Sequence, residues 1–525
     1  MFDILIKNGT LYDGAGRRGE RLDIGISGDT IAAIGHFSAE QAQRVIDASG
    51  MAVTPGFIDS HSHSDLTAIA DPLADSKLRQ GVTTEIVGNC GTSAAPFHEE
   101  IFGGFMADFQ DGLMDKPSWR SFADYCDLVE THGTVTNIAS LVGHGNIRLL
   151  GMGSDEGAAT RKQLRGMRGL VTQCMKEGAI GLSTGLIYPP GMYADTAELV
   201  ECARALRKTH GVYVSHIRSE GDQVIEAVRE AIEIGRRAEV PVRISHLKVS
   251  GQANWSKLDR VFEEIERARN DGIQVTCDRY PYTAGATWLA AVLPDWAQAG
   301  GRESILKRLA SAAERERIEA ELRATYGAND RWRRIMVVSV KGRVGEDLEG
   351  LMVAEIAELR GAEPASVVLD LLIESDLRAG AITFSMSEEN MRRILKKPYV
   401  TIGSDAWAVR ATPGQKYTHP RAYGTFPRVL GRLVRDGTLS LRDAVHKMTG
   451  MAAEAFHLSR RGFLREGCFA DIVVFDPERI LDLATYEEPH QYPVGIEDVI
   501  VNGTVAVDAG NVTGKRGGRV LRGTE

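Results

Sequence analysis

The feature that most constrains the fold is a regular alternation of strand-like and helix-like segments through the middle of the chain. Short β-rich runs recur between residues 53 and 405, and most are separated by segments with helical periodicity. The eight predicted strands are residues 53–60, 82–88, 134–143, 179–184, 212–216, 242–246, 273–278 and 399–405. Helices are predicted at about 159–177, 195–209, 222–238 and 256–271. This alternation predicts an α/β protein with a (β/α)8 TIM-like barrel.

The two ends of the chain have a different character from the middle. Residues 1–55 and 460–525 are rich in alternating strand patterns with Gly, Asn or Asp turn signals, such as EDVIVNGTVAVDAGNV at 497–512. We therefore expect one small β-sandwich domain, formed by residues 1–55 and 460–525 together. The barrel, residues 56–459, is inserted between its two parts.

The alternation of predicted strands and helices is interrupted between residues 286 and 345. This segment contains WLAAVLPDWAQAGG and a charged helical run, and it is longer than a loop between a barrel strand and the next helix needs to be. It follows the seventh predicted strand, and active sites of such barrels lie at the carboxyl ends of the strands. We predict an inserted lid over the substrate. A surface excursion or an oligomer contact is the alternative.

Potential metal ligands stand at the predicted carboxyl ends of the strands. The stretch GFIDSHSHSD, residues 56–65, places His61 and His63 two apart, and a strand directs such residues to one face. Four further residues of this kind are Cys90, His216, His246 and Asp405. Each alone is more often structural, but barrel closure would gather all six around one mouth. Nitrogen, sulfur and carboxylate ligands suit zinc, so the pattern predicts a zinc site.

Composition and charge narrow the classes of partner that the protein is expected to bind. The net charge of -9 speaks against nucleic acid, because phosphate binding requires a basic patch. No apolar run approaches the roughly 20 residues that span a bilayer. The six cysteines are scattered without a CxxC pair, which favours reduced thiols and a cytoplasmic location. We expect a small-molecule substrate, no nucleic acid and no membrane, and the oligomeric state stays open.

Taken together, the motifs resemble the amidohydrolase superfamily, and within it the D-aminoacylase (N-acyl-D-amino-acid deacylase) branch. Beside GFIDSHSHSD, the matching stretches are GNCG at 88–91, LVGHGNIR at 141–148, GLSTGLIYPPGMYA at 181–194, SHIRSEGD at 215–222, ISHLKVSG at 244–251, DRYPYTAG at 278–285 and HPRAYGTFPRVLG at 419–431. The resemblance covers essentially the whole chain. It implies a metal-dependent (β/α)8 barrel with a small β-sandwich formed by both termini.

The resemblance also implies how the ligands are divided. Many amidohydrolases bridge two metals with a lysine at the end of strand four, where this chain has Ser183 and Thr184. In the D-aminoacylase branch a cysteine from strand two provides a ligand instead, and Cys90 stands there. By resemblance, Cys90, His216 and His246 hold one zinc tightly. A second position, lined by His61, His63 and Asp405, is weakly occupied or empty, and one zinc or two both remain open.

The implied reaction is zinc-dependent hydrolysis of N-acyl-D-amino acids to a carboxylic acid and a free D-amino acid. Zinc lowers the pKa of its bound water to about 7, which makes that water the predicted nucleophile. Asp405 is the predicted general base and then general acid. The alternatives are a D-residue-specific dipeptidase, a cyclic-amide hydrolase of the hydantoinase or dihydroorotase kind, and a non-catalytic scaffold. Scaffolds of this kind have typically lost metal ligands, which this chain retains.

The α-carboxylate of the substrate is expected to be bound by a cationic side chain. Arg421 matches the branch's carboxylate-binding arginine, and Lys248, two residues after His246, is expected on the same strand face. Tyr188 and Tyr282 are expected to supply pocket hydroxyls, on the motif match.

Two further expectations concern residues behind the ligands. His144 is expected directly behind the metal ligands, where it would orient a ligand or the water, with a structural hydrogen bond as the alternative. Arg218 and Glu220 follow His216, and an ion pair between them is expected to brace the site.

Overall fold

The computed structural model describes residues 1–99, 117–153, 156–338, 340, 346–411 and 418–523. Seven strands open the chain. They are β1 Phe2–Lys7, β2 Thr10–Leu11, β3 Glu20–Arg21, β4 Asp23–Ser27, β5 Thr30–Gly35, β6 Ala42–Asp47 and β7 Ala52–Pro55. The next eight are β8 Phe57–Asp59, β9 Val82–Val87, β10 Asn137–Ser140, β11 Val142–Gly143, β12 Gly181–Gly185, β13 Val212–His216, β14 Val242–Ile244 and β15 Val275–Arg279.

The remaining strands lie in the second half of the chain. They are β16 Gly285–Trp288, β17 Ile335–Val338, β18 Gly380–Thr383, β19 Val400–Ile402, β20 Ile472–Phe475, β21 Ile496–Val501, β22 Thr504–Asp508 and β23 Asn511–Val512. Outside the segment between β16 and β18, the α-helices formed by described residues are Thr67–Ala70, Phe122–His132, His144–Met152, Arg161–Lys176, Thr196–Ala203, Val224–Ala238, Leu258–Asn270, Glu388–Lys396, Arg421–Arg428, Leu441–Met448 and Gly450–Ala455.

Strands from the two ends of the chain share sheets and a core. One sheet has the order β5-β4-β1-β6, and a second has the order β23-β22-β21-β20-β7-β2-β3. In the second sheet β7 pairs antiparallel with β20, which joins residues about 420 positions apart in the sequence, as with Val53 and Val474. A single apolar cluster includes Ile6 and Ile24 from one sheet and Val474 from the other.

The strands of the middle segment pair in parallel in the order of the sequence. The pairs run β8–β9, β9–β10, β11–β12, β12–β13, β13–β14, β14–β15 and β15–β19. Only Leu141 separates β10 from β11. A parallel bridge between Ser62 and Ala406 connects the segments that follow β8 and β19. Each of the eight predicted strand segments overlaps one of these strands, and their carboxyl ends lie on one side.

Helices cover the outside of these strands through regular apolar positions. In Val224–Ala238, for example, Val224, Val228, Ala231 and Gly235 recur at helical spacing and are buried. Gly235 allows close approach, because a Cβ there would lie 1.9 Å from Val242 Cγ2 on the neighbouring strand. Among the described helices, none combines the length and apolar character that a membrane crossing requires.

The segment after β15 forms a compact unit with its own core. Its antiparallel sheet has the order β16-β18-β17, and its helices are Gly301–Ala310, Ala312–Tyr326, Val353–Arg360 and Pro364–Glu374. The predicted end at residue 345 is wrong, because β18 lies in this sheet and the cluster reaches Ala381. Residues 346–384 carry ordinary helix and strand patterns that do not reveal to which unit they belong. Residues 339 and 341–345 of the predicted insertion lie outside the described residues.

Candidate metal centre

All six predicted metal ligands converge at the carboxyl ends of the parallel strands. The potential ligand atoms of His61, His63, Cys90 and Asp405 lie within 4.8 Å of one another. Those of Cys90, His216 and His246 form a second group within the same limit. Cys90 belongs to both groups, so the two potential positions share the thiol.

The first group centres on one carboxylate oxygen. Asp405 Oδ1 lies 3.1 Å from His63 Nε2 and 3.3 Å from His61 Nε2. Cys90 Sγ is 3.4 Å from the same nitrogen, His61 Nε2. In the second group, His246 Nε2 lies 3.0 Å from His216 Nδ1 and 3.5 Å from Cys90 Sγ.

Five of the six predicted ligands stand just beyond a strand, whereas His216 is the last residue of β13. Strands β9, β14 and β19 end at Val87, Ile244 and Ile402, two or three residues before Cys90, His246 and Asp405. These three ligands have positive φ angles of 53°, 35° and 54°. A non-glycine residue in this region costs on the order of 1–3 kcal/mol, and such strain clusters at functional sites. Turning backbone, not strand alternation, therefore directs these three side chains into the mouth.

The same geometry corrects our argument for the His61–His63 pair. Strand β8 ends at Asp59, so both histidines lie in the loop after it and strand alternation does not align them. They converge because both imidazoles contact Asp405. Lys248 also lies beyond its strand, because β14 ends at Ile244, so strand alternation does not place it on the same face as His246 as predicted.

The electrostatics of the cluster favour a bound cation. Burial lowers the pKa of His63, yet contacts with Asp405 and Cys90 raise it to about 9. Burial raises the pKa of the Cys90 thiol, but His61, His216 and His246 hold it well below the ordinary value, toward the thiolate that binds metals. His216 Nε2 is buried and, among the described residues, has no hydrogen-bond partner. Thiolate, imidazole and carboxylate donors fit zinc.

Two carboxylates support the ligand histidines: Asp278, which the sequence argument missed, and Glu220, for which it expected Arg218 as the partner. Asp278 Oδ1 lies 3.0 Å from His61 Nδ1 and accepts a hydrogen bond of 2.8 Å from the His246 backbone N–H. Glu220 Oε1 lies 3.0 Å from His246 Nδ1. Carboxylates in this position fix the tautomer of a ligating imidazole. Asp278 stands near the end of β15, so the strand-end criterion that selected Asp405 could also have found it.

Arg421 and Lys248, the predicted substrate-binding cations, flank the cluster. Arg421 Nη1 donates to Asp405 Oδ2 at 2.7 Å, and Lys248 forms an ion pair with Glu220. Burial raises the pKa of Asp405, but Arg421 and the neighbouring histidines hold it well below its usual range. Each cation thus already has a carboxylate partner within the site.

The two predicted tyrosines differ in position. Tyr188 lines the cavity, its hydroxyl lies 3.0 Å from Thr287 Oγ1, and its ring lies 5.1 Å from that of His216. Tyr282 is absent from the described cavity lining and its ring packs under Arg428. Tyr280 lines the cavity instead, with the Arg421 guanidinium 4.8 Å from its ring centre. The motif match could not separate two tyrosines that are two residues apart.

His144 and Arg218 also have partners other than those expected. His144 Nε2 lies 3.0 Å from Glu198, and its Nδ1 is buried without a hydrogen-bond partner among the described residues. None of the described hydrogen bonds joins His144 to a proposed ligand, which favours its structural alternative. Arg218 pairs with Glu230 rather than with Glu220.

A cavity of about 1530 Å³ opens over the cluster. His63, Cys90, His216, His246 and Asp405 form part of its floor. The segment between β16 and β18 contributes apolar wall residues, among them Trp288, Val292, Ile305 and Ala381. The cavity places a largely apolar chamber next to a cation-binding cluster, an arrangement suited to small organic substrates.

Comparison with known proteins gives full-length matches. The model of the amidohydrolase family (Amidohydro_3) matches residues 44–507. The chain is 39% identical over 528 residues to a D-aminoacylase of Alcaligenes xylosoxydans xylosoxydans, with 100% of this chain and 98% of the relative covered. It is 37% identical over 521 residues to an N-acyl-D-glutamate deacylase of the same organism, with 99% and 96% covered.

A solved structure agrees with these matches. It is an N-acyl-D-glutamate deacylase from Bordetella bronchiseptica in complex with zinc and a phosphonate inhibitor that mimics the tetrahedral intermediate. The TM-score is 0.83 at 34% identity, with 99% of both chains covered.

Proposed function

The chain belongs to the amidohydrolase family, and on that premise we propose that it hydrolyses N-acyl-D-amino acids to a carboxylic acid and a free D-amino acid. The observation that carries the proposal is the convergence of six ligand residues in two groups that share Cys90. Full-length similarity to a D-aminoacylase and to a zinc-bound N-acyl-D-glutamate deacylase supports the substrate class.

The proposed architecture is a (β/α)8 barrel with a β-sandwich domain formed by both termini. The series of parallel pairs and the bridge between Ser62 and Ala406 support a closed barrel. The pairing of β7 with β20 supports a domain built from both ends of the chain. The unit between β16 and β18 is proposed as a cover of the cavity, since its residues line the wall.

Zinc is the proposed metal. Cys90, His216 and His246 would hold one ion, and His61, His63 and Asp405 would line a second position. Zinc bound there would polarise the amide carbonyl and lower the pKa of water. Ser183, at the position of the absent bridging lysine, accepts a 3.1 Å hydrogen bond from Gly91 N, so it supports the turn that carries Cys90. This arrangement disfavours the cyclic-amide hydrolases that use the lysine.

Asp405 is the proposed proton carrier. Its low pKa keeps it ionised at neutral pH, so one carboxylate oxygen can accept the proton of the attacking water. The same proton then passes to the amide nitrogen, which leaves as a neutral amine. His61, His63 and Arg421 hold the carboxylate in place during this transfer.

The substrate's α-carboxylate is proposed to bind between Arg421, Lys248 and Tyr280. Burial raises the pKa of the Tyr280 phenol, but Lys248, Arg279 and Arg421 together lower it below its ordinary value. Three cations around one phenol favour a further anion beside it. Tyr280 therefore replaces Tyr282 in our proposal, and Tyr188 lines the cavity beside Thr287 and His216.

The location proposed is the cytoplasm. All six cysteines are free, and five of them are buried, which fits a reducing compartment. The proposed partner is a small N-acyl amino acid.

The experiment that tests the function is an assay of product release by the zinc-loaded enzyme. Matched pairs of N-acetyl-D- and N-acetyl-L-amino acids, a dipeptide with a D-residue at its C-terminal side, and a hydantoin are the substrates. We expect amine release from the N-acetyl-D forms. Activity confined to the L forms, or to the hydantoin, would overturn the proposal.

A further inference from the structure

A buried ion pair lies behind the ligands, outside the cavity. Lys77 Nζ and Asp59 Oδ2 are 2.6 Å apart, and both side chains are completely inaccessible to solvent. Neither residue belongs to the described lining of the cavity, so neither contacts substrate there. Their location suggests that they act through the residues that do.

Asp59 connects the two segments that carry the first ligand group. Its Oδ1 accepts hydrogen bonds from the backbone N–H of His61, at 3.2 Å, and of Ser404, at 2.8 Å. Its Oδ2 accepts from Ser404 Oγ at 2.6 Å. One carboxylate therefore joins the loop after β8 to the loop after β19, across 345 residues of sequence.

Lys77 holds the residues on both sides of Asp405, through the side chain of Ser404 and the backbone of Ala406. It donates to the Ser404 hydroxyl and, at 2.8 Å, to the Ala406 carbonyl. With Asp59 as the third acceptor, every proton of the ammonium group has a partner. The residues immediately before and after Asp405 are thus fixed by the same buried cation.

Asp405 needs such support because its backbone is strained. Its φ of 54° lies in the left-handed region, while its N–H donates to the His61 carbonyl at 2.8 Å. The chain also approaches His61 closely at Gly403, where a Cβ would lie 2.6 Å from His61 Cβ. Small movements of this loop would therefore displace the carboxylate from both histidines.

We infer that the Lys77–Asp59 pair is a tether that positions the Asp405 carboxylate against His61 and His63. Both residues are positioning residues, and their part in the reaction rests on the proposed function. Replacing a buried ion pair by apolar groups is often neutral for stability, so stability alone does not explain the pair. Its hydrogen bonds to the loop that carries Asp405 supply the explanation.

The test compares Lys77→Met and Ser404→Ala with a control at another buried ion pair. Arg461 and Asp471 form that pair; it is almost as inaccessible as Lys77–Asp59, and Asp471 bonds residues outside the metal cluster. Arg461→Met therefore mimics the loss of a buried cation without touching the mouth. Each variant is measured for kcat, KM, urea midpoint, zinc content and, after cobalt substitution, visible absorption of the metal centre.

We expect kcat of Lys77→Met to fall by about 10- to 100-fold, the range for outer-shell partners of metal sites, with KM nearly unchanged. The cobalt spectrum of Lys77→Met and Ser404→Ala should differ from that of the wild type. Arg461→Met should lose stability yet keep the wild-type kcat and spectrum. If Lys77→Met does not fold, Ser404→Ala carries the test with a smaller decrease in kcat and the same spectral change.

If Ser404→Ala and any folded Lys77→Met had the kcat and cobalt spectrum of the wild type, the proposal that Lys77–Asp59 positions Asp405 would be overturned. A wild-type enzyme that releases no D-amino acid would instead refute the proposed function. The cobalt spectrum would still report whether the tether shapes the metal centre, so the two failures are distinguishable.

Discussion

The two ends of the parallel strands bury polar groups in different ways. At the amino end, Asp471 accepts hydrogen bonds from Asn137 Nδ2 at 3.2 Å and from Asn502 N at 2.8 Å, and it pairs with Arg461. That carboxylate is thus fully engaged by protein donors. At the mouth, a thiol, four imidazoles and a carboxylate face one another instead, and His216 Nε2 has no hydrogen-bond partner among the described residues.

This difference in hydrogen bonding indicates that the carboxyl end of the strands serves function and the amino end serves stability. A closed network of donors and acceptors is complete when the chain folds, and its loss destabilises the protein. A cluster of ligand atoms is complete only with a cation, and the strained backbones of Cys90, His246 and Asp405 show that the fold bears a cost to form it. Substitutions at the mouth should therefore reduce activity, and those at the amino end should reduce stability.

The largest effect should come from Asp405→Asn at the mouth. The amide cannot accept the proton of water, so kcat should fall by about 100- to 10,000-fold, the usual contribution of general acid–base catalysis. Steady-state amine release measures kcat, and elemental analysis checks that the tight zinc is retained. Near-normal turnover of a zinc-loaded Asn variant would remove Asp405 from its role as base.

The counterpart at the amino end is Asp471→Asn. This change leaves Arg461 buried without its anion and should lower the free energy of unfolding by about 3–5 kcal/mol. The kcat of the folded fraction should stay at the wild-type value. Urea unfolding and active-site-normalised kinetics measure the two quantities. A large decrease in kcat with unchanged stability would break the contrast between the two ends.

Arg421→Ala should separate substrate binding from chemistry at the mouth. Loss of a buried charge-assisted contact with the α-carboxylate costs on the order of 2–5 kcal/mol, so kcat/KM should fall by at least about 30-fold, mainly through KM. An N-acetyl amine that lacks the carboxylate is the matched control substrate, and its kcat/KM should change far less. Equal losses for both substrates would mean that Arg421 acts mainly by holding Asp405.

The sequence was sufficient to predict segments that overlap the parallel strands, and six residues whose potential ligand atoms come together in the structure. Hydrophobic runs mark buried parallel strands, and metal-binding side chains at their carboxyl ends are unusual enough to be recognised. The sequence could not show that Cys90, His246 and Asp405 lie on left-handed turns beyond the strands. Strand periodicity carries no information past the last strand residue.

Partners distant in sequence were also beyond prediction. Arg218 takes Glu230 in place of its near neighbour Glu220, because the helix Val224–Ala238 presents that carboxylate to it. Asp59 and Ser404 meet only because the end of β8 and the loop after β19 come together. Only the sheet reveals the extent of the inserted unit, since β18 begins at Gly380, 45 residues after β17 begins at Ile335, and pairs with both β16 and β17.

A pH experiment sharpens the comparison at the amino end. Lys447 Nζ donates to the Val400 carbonyl at the start of β19, and burial lowers its pKa from 10.5 to about 8. Below about pH 8 the Lys447 amine is protonated in both the folded and the unfolded protein, so the folded protein bears the full cost of burying this charge. As pH rises to about 10.5 the unfolded chain binds more protons, and stability should increase by up to about 3 kcal/mol.

The measurement for Lys447 is the urea midpoint at about pH 7 and about pH 10, in wild type and in Lys447→Met. The difference between the two proteins removes the contributions of all other groups. We expect the wild type to gain stability relative to the variant as pH rises. An equal pH response in both proteins would show that Lys447 keeps its proton in the fold.

The substitution with the smallest expected effect tests which tyrosine, Tyr280 or Tyr282, lies in the substrate pocket. Tyr280 lines the cavity beside Arg421, whereas Tyr282 packs under Arg428 and only its hydroxyl approaches the Pro420 carbonyl, at 3.5 Å. Removing a single hydroxyl that binds the substrate carboxylate costs about 0.5–1.5 kcal/mol, so Tyr280→Phe should raise KM by roughly 2- to 12-fold. Tyr282→Phe, the matched control two residues away, should leave KM unchanged because Tyr282 is absent from the described cavity lining. A larger KM effect from Tyr282→Phe would return that residue to the pocket and move the boundary of the mouth toward the helix that begins at Arg421.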